Sequence, residues 1–363
     1  MVFRAYSRRR FLARAAQSLG LSLSGTAALS GMSAFATPRP TPIPYGAAVR
    51  ADALAADAAY RAAIIANCQL IVPESELKWD TLRPTRTDYR FEKADSLVAF
   101  AHNNNIAVRG HTLAWYGALP EWVKTISTAV EAQAELVGHI ETVVSRYRGI
   151  IPSWDVINEP VADSPSTGNV LRSFVWPQQL GQDYIAIALR AAAAADPSAQ
   201  LVLNEYDIEF KGPRFAARRQ ALLALLRRLR DCDVPLHAVG LQAHLFAERD
   251  IDRDGLQALL AEIAKMNLDV IVTELDVIDY ELPGNVTKRD MLVADKARDF
   301  LDAVCGVVRP RTLLTWGLSD RYTWVPLYFK RPDGMANRPL PLDVDLQPKP
   351  LFAVIDRIRH RPA

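Results

Sequence analysis

Two glutamates have the chemistry and the position expected of a catalytic pair. Glu159 directly follows the mostly apolar run WDVIN, and Glu274 follows the run VIVT. Cleavage of a glycosidic bond passes through an oxocarbenium-like transition state, so one carboxyl group protonates the departing oxygen while a second meets the anomeric carbon. In retaining enzymes the two groups lie about 5–5.5 Å apart. The sequence therefore predicts that Glu159 and Glu274 act together on one β-linked acetal.

Other polar and aromatic residues follow apolar runs in the same way. Asn158 can hydrogen-bond a sugar 2-hydroxyl, an interaction that strengthens in the transition state. A pair formed by His244 and Asp276 can orient Glu274 and keep it ionised. Indole rings offer flat apolar faces on which pyranose rings stack, and the candidates are Trp115, Trp316 and Trp324. Further charged, amide or imidazole groups at the ends of such runs are Glu74, Lys78, His111 and Gln242.

Short apolar runs alternate with longer amphipathic stretches from residue 45 onward. The runs predict strands at 45–49, 70–73, 107–111, 153–158, 201–204, 238–242, 270–273 and 313–316. The amphipathic stretches predict helices at 51–67, 92–104, 130–147, 177–195, 213–231, 254–266, 288–307 and 350–359. Eight strand-then-helix units in one series favour an α/β fold, a single (β/α)8 TIM barrel, whose active site forms at the carboxyl ends of the strands.

The first residues are typical of an export signal. Residues 1–36 contain consecutive arginines at 8–10, then a short apolar stretch and the small residues around Ala36, so we expect a twin-arginine-type signal peptide cleaved after Ala36. Residues 37–44 are expected to form a proline-rich lead-in, and residues 45–363 the catalytic barrel. The expected destination is the periplasm or the medium.

Charge and cysteine content limit the other classes of function. Residues 1–36 hold five arginines and no acidic residue, so removing them from the net charge of +2 leaves −3. That balance gives no electrostatic reason to bind nucleic acid or an anionic membrane. The six histidines form no HxH or HxxxH pair at a strand end, so no metal or other cofactor is predicted. Cys68, Cys232 and Cys305 suggest three small buried residues, although one disulfide is compatible with the sequence. We expect a monomer.

Several motifs in order closely resemble glycoside hydrolase family 10, the family typified by endo-β-1,4-xylanases. These motifs are Glu74 with the run KWD at 78–80, GHTL with Trp115, WDVINE at 154–159, QAHL at 242–245 and TELD at 273–276. The resemblance implies a (β/α)8 barrel and a retaining mechanism, with Glu159 as acid/base and Glu274 as nucleophile. It also implies that the sugar-binding sites are lined by Glu74, Lys78, His111, Trp115, Asn158, Gln242, His244, Trp316 and Trp324. The implied substrate is xylan or xylo-oligosaccharides.

Three residues depart from the family pattern around the expected glycone side of the cleft. Ser75 replaces the usual Asn, Tyr116 the usual His and Ala118 a frequent Gln. These changes leave open a different β-linked glycan or a short oligosaccharide as substrate, with the same fold and mechanism. Two further alternatives are a metal-dependent barrel hydrolase and a carbohydrate-binding barrel without catalysis.

Overall fold

The computed structural model describes residues 41–166 and 169–361. Its strands are β1 (Tyr45–Val49), β2 (Leu70–Pro73), β3 (Ala107–Ala114), β4 (Ser153–Asn158), β5 (Val161–Ser166), β6 (Asn169–Leu171), β7 (Gln200–Glu205), β8 (Ala238–Leu241), β9 (His244–Phe246), β10 (Asp269–Ile278) and β11 (Leu313–Thr315). Its helices are α1 (Ala51–Ala56), α2 (Ala58–Asn67), α3 (Trp79–Leu82), α4 (Glu92–Asn103), α5 (Glu121–Lys124), α6 (Ala129–Arg146), α7 (Val175–Leu180), α8 (Tyr184–Ala195), α9 (Pro213–Asp231), α10 (Arg253–Lys265), α11 (Val286–Cys305) and α12 (Pro350–Arg359). The expected signal peptide at 1–36 and the first four residues of the lead-in lie outside the described residues.

Eight parallel strands close into a barrel. Their order is β1, β2, β3, β4, β7, β8, β10, β11, and β11 pairs with both β10 and β1. Helices connect successive strands, so the predicted (β/α)8 architecture is confirmed. All eight carboxyl ends therefore meet at one mouth, where such barrels place their active sites.

Two sets of buried apolar side chains hold the barrel together. The smaller set lies in the interior of the barrel, enclosed by the strands, and consists of Ala48, Leu70, Val72, Val202, Ala238, Ile271, Leu314 and Trp316. The larger set fills the layer between strands and helices, where each strand's outward side chains meet the apolar faces of the helices. Burial on both faces explains why the barrel strands are apolar runs without strict alternation.

Two helices that the sequence predicts as continuous are interrupted. The stretch 51–67 is divided at Asp57, whose side chain accepts a hydrogen bond from the Tyr60 amide at 2.9 Å and caps α2. The stretch 177–195 is divided at Gly181, which has a φ of 61° between α7 and a 3-10 turn at Gly181–Asp183. A left-handed φ is easily adopted by glycine and ends a regular helix.

A β-hairpin follows the first candidate glutamate and was not predicted. β5 pairs antiparallel with β6, with Val161 opposite Leu171, and Val161 is two residues after Glu159. β9 is a second addition, pairing parallel with the last part of β10. Both additions lie at the mouth, so they shape the site without changing the barrel.

One arginine side chain forms hydrogen bonds to both the first and the last described residue. The Arg309 guanidinium donates to the carbonyl oxygens of Thr41 at 2.6 Å and Arg361 at 2.8 Å. Nearby, the Ile43 amide donates to the Arg359 carbonyl at 2.9 Å.

Within the described residues, no helix combines the length and apolarity needed to cross a bilayer.

The three cysteines are free thiols, and only Cys68 is buried. The expectation of three buried cysteines is therefore wrong for Cys232, which is exposed on the turn after α9, and for Cys305, which is partly exposed.

Candidate active site

Glu159 and Glu274 lie at the mouth of the barrel. Glu159 directly follows β4, and Glu274 lies within β10. Both are largely withdrawn from solvent, with 8% and 4% of their surfaces exposed. β4 and β10 are separated in the barrel by β7 and β8, so side chains from these two intervening strands can reach both carboxylates.

Two amide side chains connect the two carboxylates. Nδ2 of Asn158 donates to Oε1 of Glu159 at 3.2 Å, while Oδ1 of Asn158 accepts from Nδ2 of Asn204 at 2.9 Å. The same Asn204 nitrogen donates to Oε1 of Glu274 at 2.6 Å. Gln242 donates to Oε1 of Glu159 at 3.0 Å. One continuous hydrogen-bond network therefore holds both carboxylates over a single site.

Glu274 is supported by a chain of three further residues. The His244 ring contacts Oε2 of Glu274 through Nε2 at 3.1 Å and Oδ1 of Asp276 through Nδ1 at 2.9 Å. Oδ2 of Asp276 in turn accepts from the indole nitrogen of Trp324 at 2.7 Å. The predicted pair of His244 and Asp276 is thus present, and Trp324 extends it.

Burial and neighbouring charges have opposite effects on the pKa values of Glu274 and His244. Burial alone would raise the pKa of Glu274, but the hydrogen bond from His244 and the charges of His111 and His244 hold it below its ordinary value. Burial would lower the pKa of His244, whereas the charge of Asp276 and the bonds to both carboxylates raise it well above its ordinary value. Glu274 is therefore an anion held by a protonated imidazole.

A second charged group lies beside Glu274. Arg109 on β3 binds both carboxylate oxygens of Asp155 on β4, and Nδ1 of His111 lies 2.9 Å from Oδ2 of the same carboxylate. Burial would raise the pKa of Asp155, but the Arg109 charge and the His111 hydrogen bond lower it. His111 is thereby fixed beside Asp155, within 4.8 Å of a Glu274 carboxylate oxygen.

His111, Asp155 and Glu274 offer ligand atoms within 4.8 Å of one another, as a metal site would. A cation placed there would lie beside the Arg109 guanidinium, which already neutralises Asp155. The hydrogen-bonded ion pair therefore accounts for these residues without a metal ion.

Glu159 has an unusual backbone and an additional donor. Its φ is 55°, in the left-handed region that non-glycine residues seldom adopt. The indole nitrogen of Trp115 donates to Oε2 of Glu159 at 2.9 Å. The carboxyl group is thus held by three donors, from Trp115, Asn158 and Gln242.

The remaining predicted binding residues gather on the side of the mouth formed by β2, β3 and β11. Nζ of Lys78 lies 4.9 Å from the Trp115 ring centroid and 5.6 Å from that of Trp316. Trp316 also meets the His111 ring edge-on at 5.0 Å. Burial raises the pKa of Glu74, on the loop after β2, to about 7. This side combines aromatic faces with groups that hydrogen-bond hydroxyls.

The three departures from the family pattern lie in different surroundings. Ser75 is in the loop after β2, where its amide donates to Glu76 at 3.1 Å. Ala118 has a φ of 51°, and its carbonyl accepts from the Asp80 amide at 2.9 Å. Tyr116 lies instead against Arg172, 4.2 Å from its ring centroid, beside Glu159. The glycone-side role of all three stays a prediction, while the contacts of Tyr116 are with the Glu159 side.

Several supporting residues were not identified from the sequence. Asn204 is the last residue but one of β7 and bridges the carboxylates. Asn204 and Arg109 both lie near strand ends, and that position was the available signal. Arg172 and Arg218 had no such signal, because each reaches its partner through a long side chain from a hairpin or a helix. Trp154 is fully buried and Trp122 is partly buried in the large apolar core.

Comparisons with known proteins agree with this geometry. A family model described as Glycosyl hydrolase family 10 matches residues 37–357. Endo-1,4-beta-xylanase C of Phanerodontia chrysosporium is 35% identical over 302 residues, which cover 82% of this chain and 71% of that protein. Endo-1,4-beta-xylanase B of Thermotoga neapolitana is 33% identical over 287 residues, which cover 79% of each.

Solved structures share the fold as well. Xylanase 10B from Thermotoga petrophila RKU-1, crystallised in complex with xylobiose, matches with a TM-score of 0.79 and 31% identity. The match covers 88% of this chain and 94% of that one. Native xylanase 10B from Thermotoga maritima matches with the same TM-score and identity.

Proposed function

Because the chain belongs to glycosyl hydrolase family 10, we propose that it hydrolyses β-1,4-xylosidic bonds in xylan or xylo-oligosaccharides and retains the anomeric configuration. Family and relatives make it a glycoside hydrolase of the xylanase type. The observation that carries the proposal is the bridge from Glu159 through Asn158 and Asn204 to Glu274, which keeps the two carboxylates at one site.

In the first step Glu274 is the nucleophile. One of its oxygens forms a bond to the anomeric carbon as the bond from that carbon to the departing oxygen breaks, and the proton of Glu159 passes to that oxygen. The low pKa of Glu274 favours the anion needed for attack. His244 and Asn204 orient the carboxylate. Asn158 is expected to hydrogen-bond the sugar 2-hydroxyl.

In the second step water replaces Glu274 on the anomeric carbon. Glu159, now a carboxylate, accepts a proton from the attacking water, and the bond between carbon and Glu274 breaks. Two displacements restore the original configuration and return both residues to their starting charge. Trp115 and Gln242 hold Glu159 in both protonation states because each offers an N–H donor.

The choice of xylan rests on the relatives. Two are named endo-1,4-beta-xylanases, and one similar structure was solved with xylobiose. A second candidate is the same reaction on another β-linked glycan or a short oligosaccharide. Tyr116, which places an exposed ring and Arg172 beside Glu159, is the observation that favours it.

Product analysis tests both candidates. Purified protein is incubated with xylan, mixed-linkage glucan and aryl β-xylobiosides, and the anomeric configuration of the first products is followed by NMR. We expect xylan to give short oligosaccharides with the β configuration. Products of the α configuration would contradict the mechanism, and a much higher rate on another glycan would favour the second candidate.

Removal of the nucleophile tests whether turnover depends on Glu274, and a substitution far from the site serves as the control. Glu274→Gln is expected to lower kcat by about 10⁴-fold or more, while Glu141→Gln, exposed on α6, leaves it unchanged. A wild-type protein that binds xylo-oligosaccharides without ever cleaving them would instead favour the non-catalytic barrel.

We also propose that the chain is exported and acts as a monomer outside the cytoplasm. The support for export is the arginine-containing leader of residues 1–36. Expression of the full chain, followed by amino-terminal sequencing of exported protein, should give Thr37 as the first residue. Light scattering after gel filtration should give the mass of one chain.

A further inference from the structure

We infer that Arg172 is a positioning residue for Glu159, an inference that rests on the proposed function. Arg172 directly follows β6, the second strand of the hairpin that begins two residues after Glu159. Its side chain is 12% exposed. The guanidinium links the Glu159 backbone, the hairpin, β7 and the loop after β3, and nothing in the sequence motifs assigns it a role.

The first link is to the strained backbone at Glu159. Nε of Arg172 donates to the Glu159 carbonyl oxygen at 3.3 Å, and the Arg172 amide donates to the Pro160 carbonyl at 2.8 Å. A non-glycine residue at positive φ is energetically unfavourable and persists only where its surroundings fix it. Arg172 supplies two of the contacts that fix this segment. A substitution of its side chain keeps the backbone bond to Pro160 but removes the bond to the Glu159 carbonyl, and so loosens the backbone that aims the carboxyl group.

The second link occupies most of the donors of the guanidinium. Nη1 and Nη2 of Arg172 donate to the two carboxylate oxygens of Asp163 at 3.0 and 2.9 Å, and Nη2 also donates to the Tyr206 hydroxyl at 2.7 Å. The Tyr206 hydroxyl donates to Asp163 at 2.6 Å. With these donors occupied, Arg172 has little capacity to bind a sugar directly, so its influence on the reaction must pass through its neighbours.

The third link is to Tyr116. The guanidinium carbon of Arg172 lies 4.2 Å from the Tyr116 ring centroid, a distance at which a cation is attracted to an aromatic face. Burial, followed by the charge of Glu159, raises the pKa of Tyr116, so the hydroxyl stays neutral close to the carboxylate. Tyr116 and Arg172 thus join the loop after β3 to the hairpin on either side of Glu159.

This arrangement predicts a specific kinetic signature. Proton donation by Glu159 matters when the departing group is a poor one, such as a sugar hydroxyl. It matters little when the departing group is a 2,4-dinitrophenolate, which leaves without protonation. A misplaced Glu159 therefore lowers kcat/KM, which reports the first displacement, much more for xylo-oligosaccharides than for 2,4-dinitrophenyl β-xylobioside. A purely structural defect lowers both kcat/KM values alike.

The test compares Arg172→Met with Arg214→Met on both substrates. Arg214 binds the same hairpin through the Asp163 carbonyl at 2.9 Å, and it also binds the carboxylate of Asp207, after β7, at 2.6 Å. Among the described residues it makes no hydrogen bond to Glu159 or Pro160. We expect Arg172→Met to lower kcat/KM about 10²-fold on xylo-oligosaccharides but no more than about threefold on the dinitrophenyl substrate. Arg214→Met is expected to change the two rates by equal, small factors.

Three results would overturn or separate the conclusions. Equal losses on both substrates with Arg172→Met, or the same signature with Arg214→Met, would show that Arg172 has only a structural role. If Arg172→Met does not fold, Tyr116→Leu must show the same selective loss of kcat/KM on xylo-oligosaccharides, although a smaller one. Equal losses on both substrates in Tyr116→Leu would then also refute the inference. A wild-type chain inactive on both substrates would instead refute the proposed function.

Discussion

The indole nitrogen of Trp115 lies 2.9 Å from Oε2 of Glu159 and donates a hydrogen bond to it. The ring of the same tryptophan lies 4.9 Å from the ammonium group of Lys78. A residue that the sequence suggested as a stacking surface therefore also orients the acid/base candidate.

Replacing Trp115 with Phe keeps an aromatic face and removes the donor. A hydrogen bond to a charged group contributes about 1.5–3 kcal/mol, so we expect kcat/KM on xylo-oligosaccharides to fall about tenfold or more. Trp122→Phe is the control, since its indole nitrogen donates to the Arg83 carbonyl at 3.2 Å, away from the site. Steady-state kinetics that fail to distinguish the two variants would contradict the role given to Trp115.

The protonated His244 is expected to set the acidic limit of activity. In the wild type its hydrogen bond and charge hold the pKa of Glu274 below 4.5, against the effect of burial. In His244→Asn burial remains while the imidazolium is lost, so the pKa of Glu274 rises and the acidic limb of kcat/KM moves to higher pH. His102→Asn, exposed on α4, should leave the pH profile in place. An unmoved acidic limb in His244→Asn would show that Glu274 is kept ionised by other groups.

The ion pair of Arg218 and Glu205 is expected to be essential for stability. Both side chains are 0% exposed and 2.7 Å apart, and removing one partner of a buried pair costs about 3–5 kcal/mol. Urea unfolding of Arg218→Met should show this loss. Arg227→Met, which breaks the exposed pair with Glu262, should cost less than about 1 kcal/mol. The double variant Arg218→Met/Glu205→Leu should recover much of the loss, and no recovery would mean that the other bonds of Arg218 dominate.

The effect of this pair also depends on pH. Burial raises the pKa of Glu205 to about 7, even beside Arg218. Between its ordinary pKa of 4.5 and about 7, the folded chain holds a proton that the unfolded chain releases, so this group makes stability fall as pH rises through that window. Without Arg218 the penalty on the anion grows. Arg218→Met should therefore lower the free energy of unfolding more at pH 8 than at pH 5. The reverse order would contradict the raised pKa given to Glu205.

Gly110 leaves no room for a side chain. A Cβ at this position on β3 would lie 2.1 Å from Cε3 of Trp154, which is fully buried on β4. We expect Gly110→Ala to destabilise the fold by about 3 kcal/mol, at the upper end for overpacked cores. Gly138→Ala on α6 meets nothing within 4 Å and should stabilise by about 0.5–1 kcal/mol. Thermal unfolding of the two variants checks the opposite signs.

Much of the barrel could be predicted because each unit carries its own pattern. The first strand was expected at 45–49 and is observed at Tyr45–Val49. The break at Asp57 could not be predicted, because alanines on both sides favour a helix. It is stabilised from a distance, since the Asp57 carboxylate also accepts from Arg321 at 2.6 Å. The hairpin after Glu159 was missed because residues 163–168, DSPSTG, are typical of a loop.

The candidate site could be predicted only in part for a similar reason. Strand ends in a barrel converge, so Glu159 and Glu274 could be predicted as a pair from their positions together with the motifs around them. The residues that orient them act through long side chains across the sequence: Arg109 reaches Asp155 over 46 positions, and Arg172 reaches Tyr206 over 34. Neither spacing repeats a local pattern, so only the folded arrangement identifies these partners.

The hydrogen bonds from Arg309 to Thr41 and Arg361 have a practical consequence for attaching the protein to other materials. Thr41 precedes β1 and Arg361 follows α12, so both attachment points lie at the amino-end face of the barrel, opposite the mouth. A solid support, a fluorescent label or a polysaccharide-adhering partner joined at either point would leave the mouth open to a long polymer.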